Sequence, residues 1–502
     1  MALPESFVSG AASAPALLAP GRPALSHDGL RNLIADTVKK LNSLGIGRND
    51  GVAIVLPNGP EMAASFLAVA AGAATAPLNP AYREDELNFY LSDIGAKAIL
   101  VGRDETGPSV AAARKLGIPI LRLDIPEGSP AGTFTIDGEA IGPAVSTGYA
   151  EPDDIALFLH TSGTTSRPKL VPLSQKNLAA SAKHIGETLS LEPGDRCLNI
   201  MPLFHIHGLI AAVLSSLASG GSVYCAPGFD ALKFFRQIEE AKPSWYTAVP
   251  TMHQAILSRA PRNAEVIAAS QLRFIRSSSA SLPPTVMLEL EAAFSCPVIE
   301  SYGMTEAAHQ MASNPLPPRE RKPGSVGIAA GPDMAIMSPD GLLLKDGEEG
   351  EIVIRGPNVT IGYVNNPSAN QSAYEHGWFH TGDQGTMDAG GYVRVTGRLK
   401  EIINRGGEKI SPREVDEVLM DHPAVAQVVC FGVPHDKLGE EVGAAIVLRE
   451  GQVATEQEIR SFAATRLADF KVPKKVLILD EIPKGATGKL QRIGLAQKLG
   501  LA

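Results

Sequence analysis

Five hydroxyl side chains and one glycine occupy six consecutive positions of this chain, residues 161–166. They belong to the segment LHTSGTTSRPKLVPLS, which spans residues 159–174. Hydroxyl groups and backbone amides donate hydrogen bonds to anionic oxygens, and a glycine lets the backbone approach them closely. Lys169 adds a positive charge on a flexible stem. The segment therefore predicts a loop that binds phosphate.

The neighbours of this lysine differ from those in a P-loop. In the Walker pattern a glycine precedes the lysine and a serine or threonine follows it. Here Pro168 precedes Lys169 and Leu170 follows it. The pattern argues against a P-loop NTPase, and on this segment alone a surface turn rich in serine and threonine is the alternative.

Other segments carry oxygen and cationic side chains that also suit a nucleotide. In ESYGMTEAAHQMA, Thr305 is expected to donate to a phosphate and Glu306 to bind Mg²⁺, with a helix cap as the alternative. Asp383 in WFHTGDQG can accept from both ribose hydroxyls or form an Asx turn. Arg398 in GRLKEIINRGGEKISP is a candidate nucleotide contact. Lys489 lies on a glycine-flanked tip in PKGATGKLQR and is a further cationic candidate. The alternative is an ordinary lysine exposed to solvent.

Length, charge and cysteine content narrow the class of protein. A chain of 502 residues is expected to form two or more domains. Its 45 basic and 54 acidic residues argue against a nucleic-acid or anionic-membrane surface. The four cysteines form no CxxC pair and are expected to be reduced. With no signal peptide, transmembrane run or S-K-L ending recognised, we expect a cytoplasmic protein with small-molecule partners; the sequence leaves its oligomeric state open.

Helical and strand-like patterns alternate over about the first 230 residues. DGLRNLIADTVKKLNSLG and EMAASFLAVAAGAATAPLNP predict helices, the second one breaking before Pro77, while GVAIVLP, KAILVG and CLNIMPLF predict buried strands. This alternation predicts parallel βαβ layers. GEIVIRGPNVTIGYV and GGYVRVTGRLKEIINRGG predict a small antiparallel unit, and MTEAAHQMA predicts a helix beginning near Thr305. We place a domain boundary at residues 397–400, which leaves a C-terminal domain of ordinary size.

Taken together, TSGTTSRPK, YGMTE, TGD, GRLKEIINRGGEKISP and PKGATGK resemble the adenylate-forming superfamily of acyl-CoA synthetases. The resemblance extends from about residue 50 to residue 492. It implies an α/β fold, with a large N-terminal domain of several subdomains (residues 1–397), a hinge (398–401) and a small mobile α+β domain (402–502). It also implies that ATP, Mg²⁺ and coenzyme A are used to convert an acid to an acyl-adenylate and then to a thioester.

The resemblance further implies roles for individual positions. Lys489, Thr305 and Glu306 would be catalytic, with Glu306 on Mg²⁺, and Lys400 would be the hinge residue. Leu170 departs from the family, where glycine commonly follows the lysine, which predicts a stiffer loop. The implied nucleotide-binding residues are Thr161, Ser162, Gly163, Thr164, Thr165, Lys169, Ser279, Ala280, Glu300, Ser301, Tyr302, Gly303, Thr305, Asp383 and Arg398. The residues expected near coenzyme A are Arg405, Gly406 and Gly407.

Polar residues indicate what kind of acid is bound. Histidines in MPLFHIHGL, serines in RFIRSSSASL and a third histidine after Thr305 suit a small acid with a second anionic group, because a buried carboxylate needs donors or a counter-charge. Zinc is rejected, since no third ligand follows the first two histidines at a recognisable spacing. The candidate acid-binding residues, each with a structural role as the alternative, are His205, His207, Arg276, Ser279 and His309.

Within the superfamily, FLHTSGTTSRPKLVPLS, WYTAVPTMHQ, FIRSSSASL, YGMTEAAHQMASNPLPP and KPGSVG closely resemble oxalate–CoA ligases of plants and fungi. Oxalate is therefore the expected acid. Glycolate, formate and malonate are alternatives, and a 4-coumarate-type acid suits the polar pocket less well. Alternative classes are an adenylation module that loads a carrier protein and a nucleotide-binding sensor without turnover.

Overall fold

A seven-stranded sheet positions the hydroxyl-rich segment in the computed structural model, which describes residues 7–161, 168–485 and 489–502. Its five central strands are parallel and each edge strand is antiparallel to its neighbour, which confirms the predicted parallel layers. In spatial order the strands are Thr135–Asp137, Ile120–Asp124, Ala98–Gly102, Gly51–Val55, Ala74–Pro77, Ile155–His160 and Leu170–Ser174. The hydroxyl-rich segment connects the last two strands.

A nine-stranded sheet carries most of the polar candidates. Its six central strands are parallel, so their carboxyl ends meet along one edge, where α/β proteins bind ligands. In spatial order the strands are Ile328–Ala329, His309–Ser313, Val298–Met304, Phe274–Ser277, Trp245–Ala248, Arg196–Asn199, Ser222–Cys225, Pro15–Leu18 and Leu25–Ser26.

Two five-stranded sheets follow along the chain. The first is antiparallel, as expected for the small unit after residue 327, and its strands are Asp333–Met337, Gly350–Arg355, Tyr374–Glu375, Trp378–Met387 and Val393–Arg398. The second comprises Ile403–Arg405, Glu408–Ile410, Val425–His435, Gly439–Leu448 and Lys475–Ile478. The chain crosses between them over residues 399–402; the assignment of residues 1–397 and 402–502 as domains stays a prediction.

Helices cover the sheets, and apolar helix faces bury their residues against them. The α-helices are His27–Ser43, Pro60–Ala70, Glu84–Ile94, Pro108–Leu116, Gln175–Thr188, Ser215–Ala218, Phe234–Ala241, Pro250–Leu257, Ala264–Ala269, Pro284–Phe294, Pro367–Ala373, Pro412–Met420, Glu456–Ala464 and Leu495–Lys498. Single turns of 3₁₀-helix form at Ala260–Asn263 and Thr305–Ala307, and a π-helix at His207–Leu214. In the described part of the chain, every helix is too short or too polar to cross a bilayer.

Two of the predicted helices were wrong in extent or in kind. The apolar helix expected to reach Pro77 ends at Ala70, because residues 74–77 pair with the strand Gly51–Val55. The helix expected from Thr305 is a single 3₁₀ turn followed by the strand His309–Ser313, antiparallel to Val298–Met304. The helix propensity of these residues is only a weak local preference, and strand pairing at the edge of a large sheet overrides it.

Candidate active site

The hydroxyl-rich loop is closed at its base by two hydrogen bonds. The Thr161 amide donates to the Lys169 carbonyl at 2.9 Å, and the Lys169 amide donates to the Thr161 hydroxyl oxygen at 3.1 Å. These bonds extend the pairing of His160 with Leu170 in the strands beside them. Thr161 and Lys169 therefore lie at the end of the hairpin that these strands form; Ser162, Gly163, Thr164 and Thr165 lie outside the described residues.

The Lys169 side chain and the Glu306 carboxylate both contact Tyr363, the lysine at the face of the ring and the carboxylate at the hydroxyl. The Lys169 ammonium lies 4.2 Å from the centroid of the Tyr363 ring, and the Tyr363 hydroxyl donates to Glu306 Oε1 at 2.9 Å. Burial raises the pKa of Glu306 and lowers the pKa of Lys169. The charge of Glu306 opposes the shift of Lys169, and the charge of Lys400 adds to it. A cation and a carboxylate are thus held close to each other, as binding of a magnesium–phosphate group requires.

Asp383 is held at both of its carboxylate oxygens. Arg398 Nε donates to Asp383 Oδ1 at 2.9 Å, and the Tyr302 hydroxyl donates to Oδ2. Asp383 faces Arg398 across two paired strands, and Tyr302 comes from the neighbouring large sheet. Asp383 raises the pKa of Arg398, so the guanidinium stays charged. The structure brings together three residues that sequence reasoning assigned separately to the nucleotide.

The other predicted nucleotide residues surround the strand Val298–Met304. Glu300 is buried, and its Oε1 accepts from the Leu282 amide at 2.9 Å, while burial raises its pKa to about 7. Thr305 and Glu306 lie in the turn after this strand. The remaining predicted residues on or beside this strand are Ser279, Ala280, Ser301, Tyr302 and Gly303.

Arg276 is a buried arginine among the residues predicted to bind the acid, and it contacts one of them, His207. Arg276 is 0% exposed, and none of the ion pairs between described residues involves it. Its Nη1 is 3.5 Å from both His207 Nε2 and the Thr247 hydroxyl, and its Nη2 donates to Gln310 Oε1 at 3.3 Å. Burial lowers its pKa to about 9. A buried charge without a counter-charge is costly, so this pocket is suited to an anion.

The two buried histidines beside the arginine differ in their partners. His207 is bonded on both sides, with Nδ1 3.0 Å from the Ser279 hydroxyl and Nε2 2.6 Å from the Thr247 hydroxyl. His309 is 2% exposed, and neither ring nitrogen has a hydrogen-bond partner among the described residues. The two rings are perpendicular, with centroids 5.0 Å apart. Burial lowers both pKa values, so His309 offers a neutral ring with a free donor.

Lys489 acts electrostatically on the candidate site from the C-terminal part of the chain. Its pKa is lowered to about 8 by burial and by Arg398, while Asp383 opposes the shift. Its charge in turn lowers the pKa values of His205, His207 and His309, after burial as the main cause for each. Lys489 is therefore coupled electrostatically both to Arg398 and Asp383 and to the three histidines.

The predicted coenzyme A residues lie on a different element. Gly406 and Gly407 form the turn between Ile403–Arg405 and Glu408–Ile410, and both have positive φ, 59° and 100°. Arg405 Nε donates to Glu441 Oε1 at 2.6 Å. Their role at coenzyme A stays a prediction.

Sequence reasoning missed three residues that contact the candidates. Thr247 and Gln310 bond Arg276, and Tyr363 links Lys169 to Glu306. Thr247 and Gln310 lie in WYTAVPTMHQ and YGMTEAAHQMASNPLPP, two of the segments that resemble known ligases. No sequence pattern, however, distinguishes a polar residue that faces a pocket from one that faces the core. Tyr363 lies in GEIVIRGPNVTIGYV, where a tyrosine in a β-rich run gives no chemical signal.

Comparisons with known proteins identify the family of the chain. The model of the family AMP-binding enzyme matches residues 8–364, and that of the AMP-binding enzyme C-terminal domain matches residues 414–489. The oxalate–CoA ligase of Arabidopsis thaliana is 48% identical over 488 residues, covering 96% of this chain and 95% of that protein. The oxalate–CoA ligase of Saccharomyces cerevisiae is 42% identical over 479 residues, covering 90% and 87%. The crystal structure of ATP-bound MatB from Rhodopseudomonas palustris has a TM-score of 0.88 at 30% identity, covering 100% of this chain and 98% of that one.

Proposed function

This chain belongs to the AMP-binding enzyme family, and we propose that the acid it joins to coenzyme A is oxalate. As an acyl-CoA synthetase it uses ATP to activate a carboxylic acid and transfers the acyl group to a thiol. The observation that carries the choice of acid is Arg276, which is fully buried and has only neutral hydrogen-bonding partners among the described residues.

The charge of this arginine selects the chemical class of the acid. Of the two carboxylates of oxalate, one would pair with Arg276 while the other stays free to react. A buried arginine paired with a carboxylate gains a charge-assisted bond, whereas a neutral or apolar group in its place would leave the charge unmatched. The free nitrogens of His309 would donate to the same acid. The names of the plant and yeast relatives support oxalate rather than a longer diacid.

In the first half-reaction, an oxygen of the free carboxylate would attack the α-phosphorus of ATP. The new P–O bond forms as the bond to pyrophosphate breaks, and negative charge gathers on the leaving group. Lys169, Lys489 and the donors at the end of the hairpin would oppose this charge, since preorganised cations stabilise it in the transition state. Glu306 is a buried oxygen donor beside Lys169 and fits Mg²⁺, which would neutralise phosphate charge when bound there.

In the second half-reaction, the thiol of coenzyme A would lose its proton to solvent, and the resulting thiolate would attack the activated carbonyl carbon. A C–S bond forms, the C–O bond to the phosphate breaks, and AMP leaves. The charge of Lys489 acts on the buried histidines in this structure, and the lysine would have to withdraw to admit the thiol. We propose that residues 402–502 rotate about residues 398–401, near Lys400, and bring Arg405 and the Gly406–Gly407 turn towards the site.

A panel of acids tests this function. Thioester formation with free coenzyme A would be measured for oxalate, malonate, glycolate, formate and 4-coumarate, and compared as kcat/KM, which reports differential transition-state binding. We expect oxalate to exceed the monocarboxylic acids by about 100-fold or more, as for a buried charge pair worth a few kcal/mol. A higher value for glycolate, formate or 4-coumarate would refute oxalate. Acid-dependent ATP–pyrophosphate exchange without thioester formation would indicate carrier loading instead.

A further inference from the structure

Gln310 supplies an amide at the position where a carboxylate would neutralise Arg276. Its Oε1 accepts from Arg276 Nη2 at 3.3 Å, and both side chains are 0% exposed. The other partners of the guanidinium, Thr247 and His207, are neutral as well, because burial lowers the pKa of His207 well below its usual value. The described surroundings therefore leave the positive charge of the arginine uncompensated.

The hydrogen bonds of the NH₂ group fix the orientation of the Gln310 amide. Gln310 Nε2 donates to the Thr188 hydroxyl oxygen at 3.1 Å and to the Ala330 carbonyl at 3.0 Å. The Thr188 hydroxyl donates its own hydrogen bond to the His184 carbonyl at 2.7 Å, so it can only accept a hydrogen bond from Gln310. Two acceptors at this end require the NH₂ group there, and the amide oxygen must then face Arg276. A glutamate would place a carboxylate oxygen against these two acceptors.

We infer that Gln310 is a specificity-determining residue, which keeps the charge of Arg276 available for the second carboxylate of the acid substrate. The inference rests on the proposed function, because it takes Arg276 as the group that binds this carboxylate. An amide orients the guanidinium without neutralising it. A glutamate of the same shape would pair with the arginine, and a second carboxylate would then enter a pocket without net charge and face a buried like charge.

The test is Gln310→Glu, which changes the charge of the side chain and almost nothing of its size. Oxalate and glycolate differ by a carboxylate in place of a CH₂OH group, so the ratio of their kcat/KM values reports the charge preference. This ratio does not depend on how much of the variant is folded. We expect it to fall by about 30-fold or more, as for the loss of a desolvated charge pair. The assay is run at pH 8, where a glutamate beside a guanidinium is ionised.

A second pair of variants places the charge on the other side of the arginine. Thr247 lies 3.5 Å from Arg276 Nη1, so Thr247→Asp brings a carboxylate to that nitrogen, and Thr247→Asn is its neutral control of the same shape. We expect the oxalate-to-glycolate ratio to be lower for the aspartate than for the asparagine variant by the same factor. These two variants decide the matter if Gln310→Glu does not fold.

The outcomes separate this inference from the function on which it rests. If the unmodified enzyme prefers glycolate to oxalate, the proposed function fails. If it prefers oxalate but Gln310→Glu keeps the same ratio, the role of Gln310 is refuted while the function stands; equal ratios in Thr247→Asp and Thr247→Asn refute it in the same way. A drop of the ratio in Gln310→Glu, with oxalate preferred by the unmodified enzyme, supports both. If Gln310→Glu does not fold, a lower ratio in Thr247→Asp than in Thr247→Asn supports both instead.

Discussion

The lowered pKa of Lys489 predicts that adenylation loses rate at mildly alkaline pH. With a pKa of about 8, the lysine is about 90% protonated at pH 7 and about 10% protonated at pH 9. If only the ammonium form opposes charge on the phosphates, kcat/KM for ATP falls about tenfold between these pH values. At saturating acid this parameter reports the enzyme that holds the acid but no ATP, so bound ATP does not alter the pKa of the lysine.

The two half-reactions are measured separately. Adenylation is followed as pyrophosphate release at a fixed, saturating concentration of acid and without coenzyme A. Thioester formation is followed from supplied acyl-adenylate. The thioester step should rise over the same pH range, because a free thiol has a pKa near 8.5 and the thiolate is the nucleophile. Opposite slopes in one enzyme exclude general alkaline inactivation as the cause.

Two variants test whether deprotonation of Lys489 causes the loss of adenylation rate between pH 7 and pH 9. Lys489→Arg keeps a cation that does not deprotonate in this range, so its adenylation, although slower, should be flat from pH 7 to pH 9. Lys489→Ala should lose about 10²–10³ of the adenylation rate, as for one preorganised donor, and keep thioester formation far better. An adenylation rate in the unmodified enzyme that does not change with pH would contradict the reasoning. So would a fall of the adenylation rate with pH in Lys489→Arg, or an equal loss of rate in both half-reactions for Lys489→Ala.

Three further variants probe individual contacts of the site. His309→Ala should lower kcat/KM for oxalate by about tenfold or more while leaving ATP binding nearly unchanged, since its ring nitrogens, unpaired among the described residues, would bond to the acid; an unchanged rate with oxalate removes it from the pocket. Tyr363→Phe keeps the ring under the lysine ammonium but loses the bond to Glu306, so half-maximal pyrophosphate release should need a Mg²⁺ concentration changed by about tenfold, against an unchanged KM for oxalate; an identical Mg²⁺ titration speaks against the link. Asp383→Asn loses the ion pair with Arg398 and should weaken AMP binding, measured by calorimetry, by about tenfold; equal affinity would place the ribose elsewhere.

Part of the site could be predicted because its residues are local to short motifs. The hydroxyl-rich segment, Glu306, Asp383 and Arg398 all lie in stretches where residue type and spacing indicate phosphate, metal or ribose contacts. The helix predicted after Thr305 shows the limit of this reasoning. Helix propensity over nine residues is a weak preference, and pairing with a neighbouring strand outweighed it, yet His309 still reached the pocket from the strand.

The sequence by itself determined the alternation of helices and strands and the order of the motifs, because both are written in local periodicity and composition. Only the tertiary structure decided which side chains meet around Arg276. Its partners Thr247, Gln310 and His207 are 29, 34 and 69 positions away and lie on separate elements. Local patterns say nothing about which strands become neighbours or which face of a strand looks into a cavity. That an amide rather than a carboxylate faces the buried guanidinium, and so leaves its charge without a carboxylate partner among the described residues, follows from packing across the whole sheet.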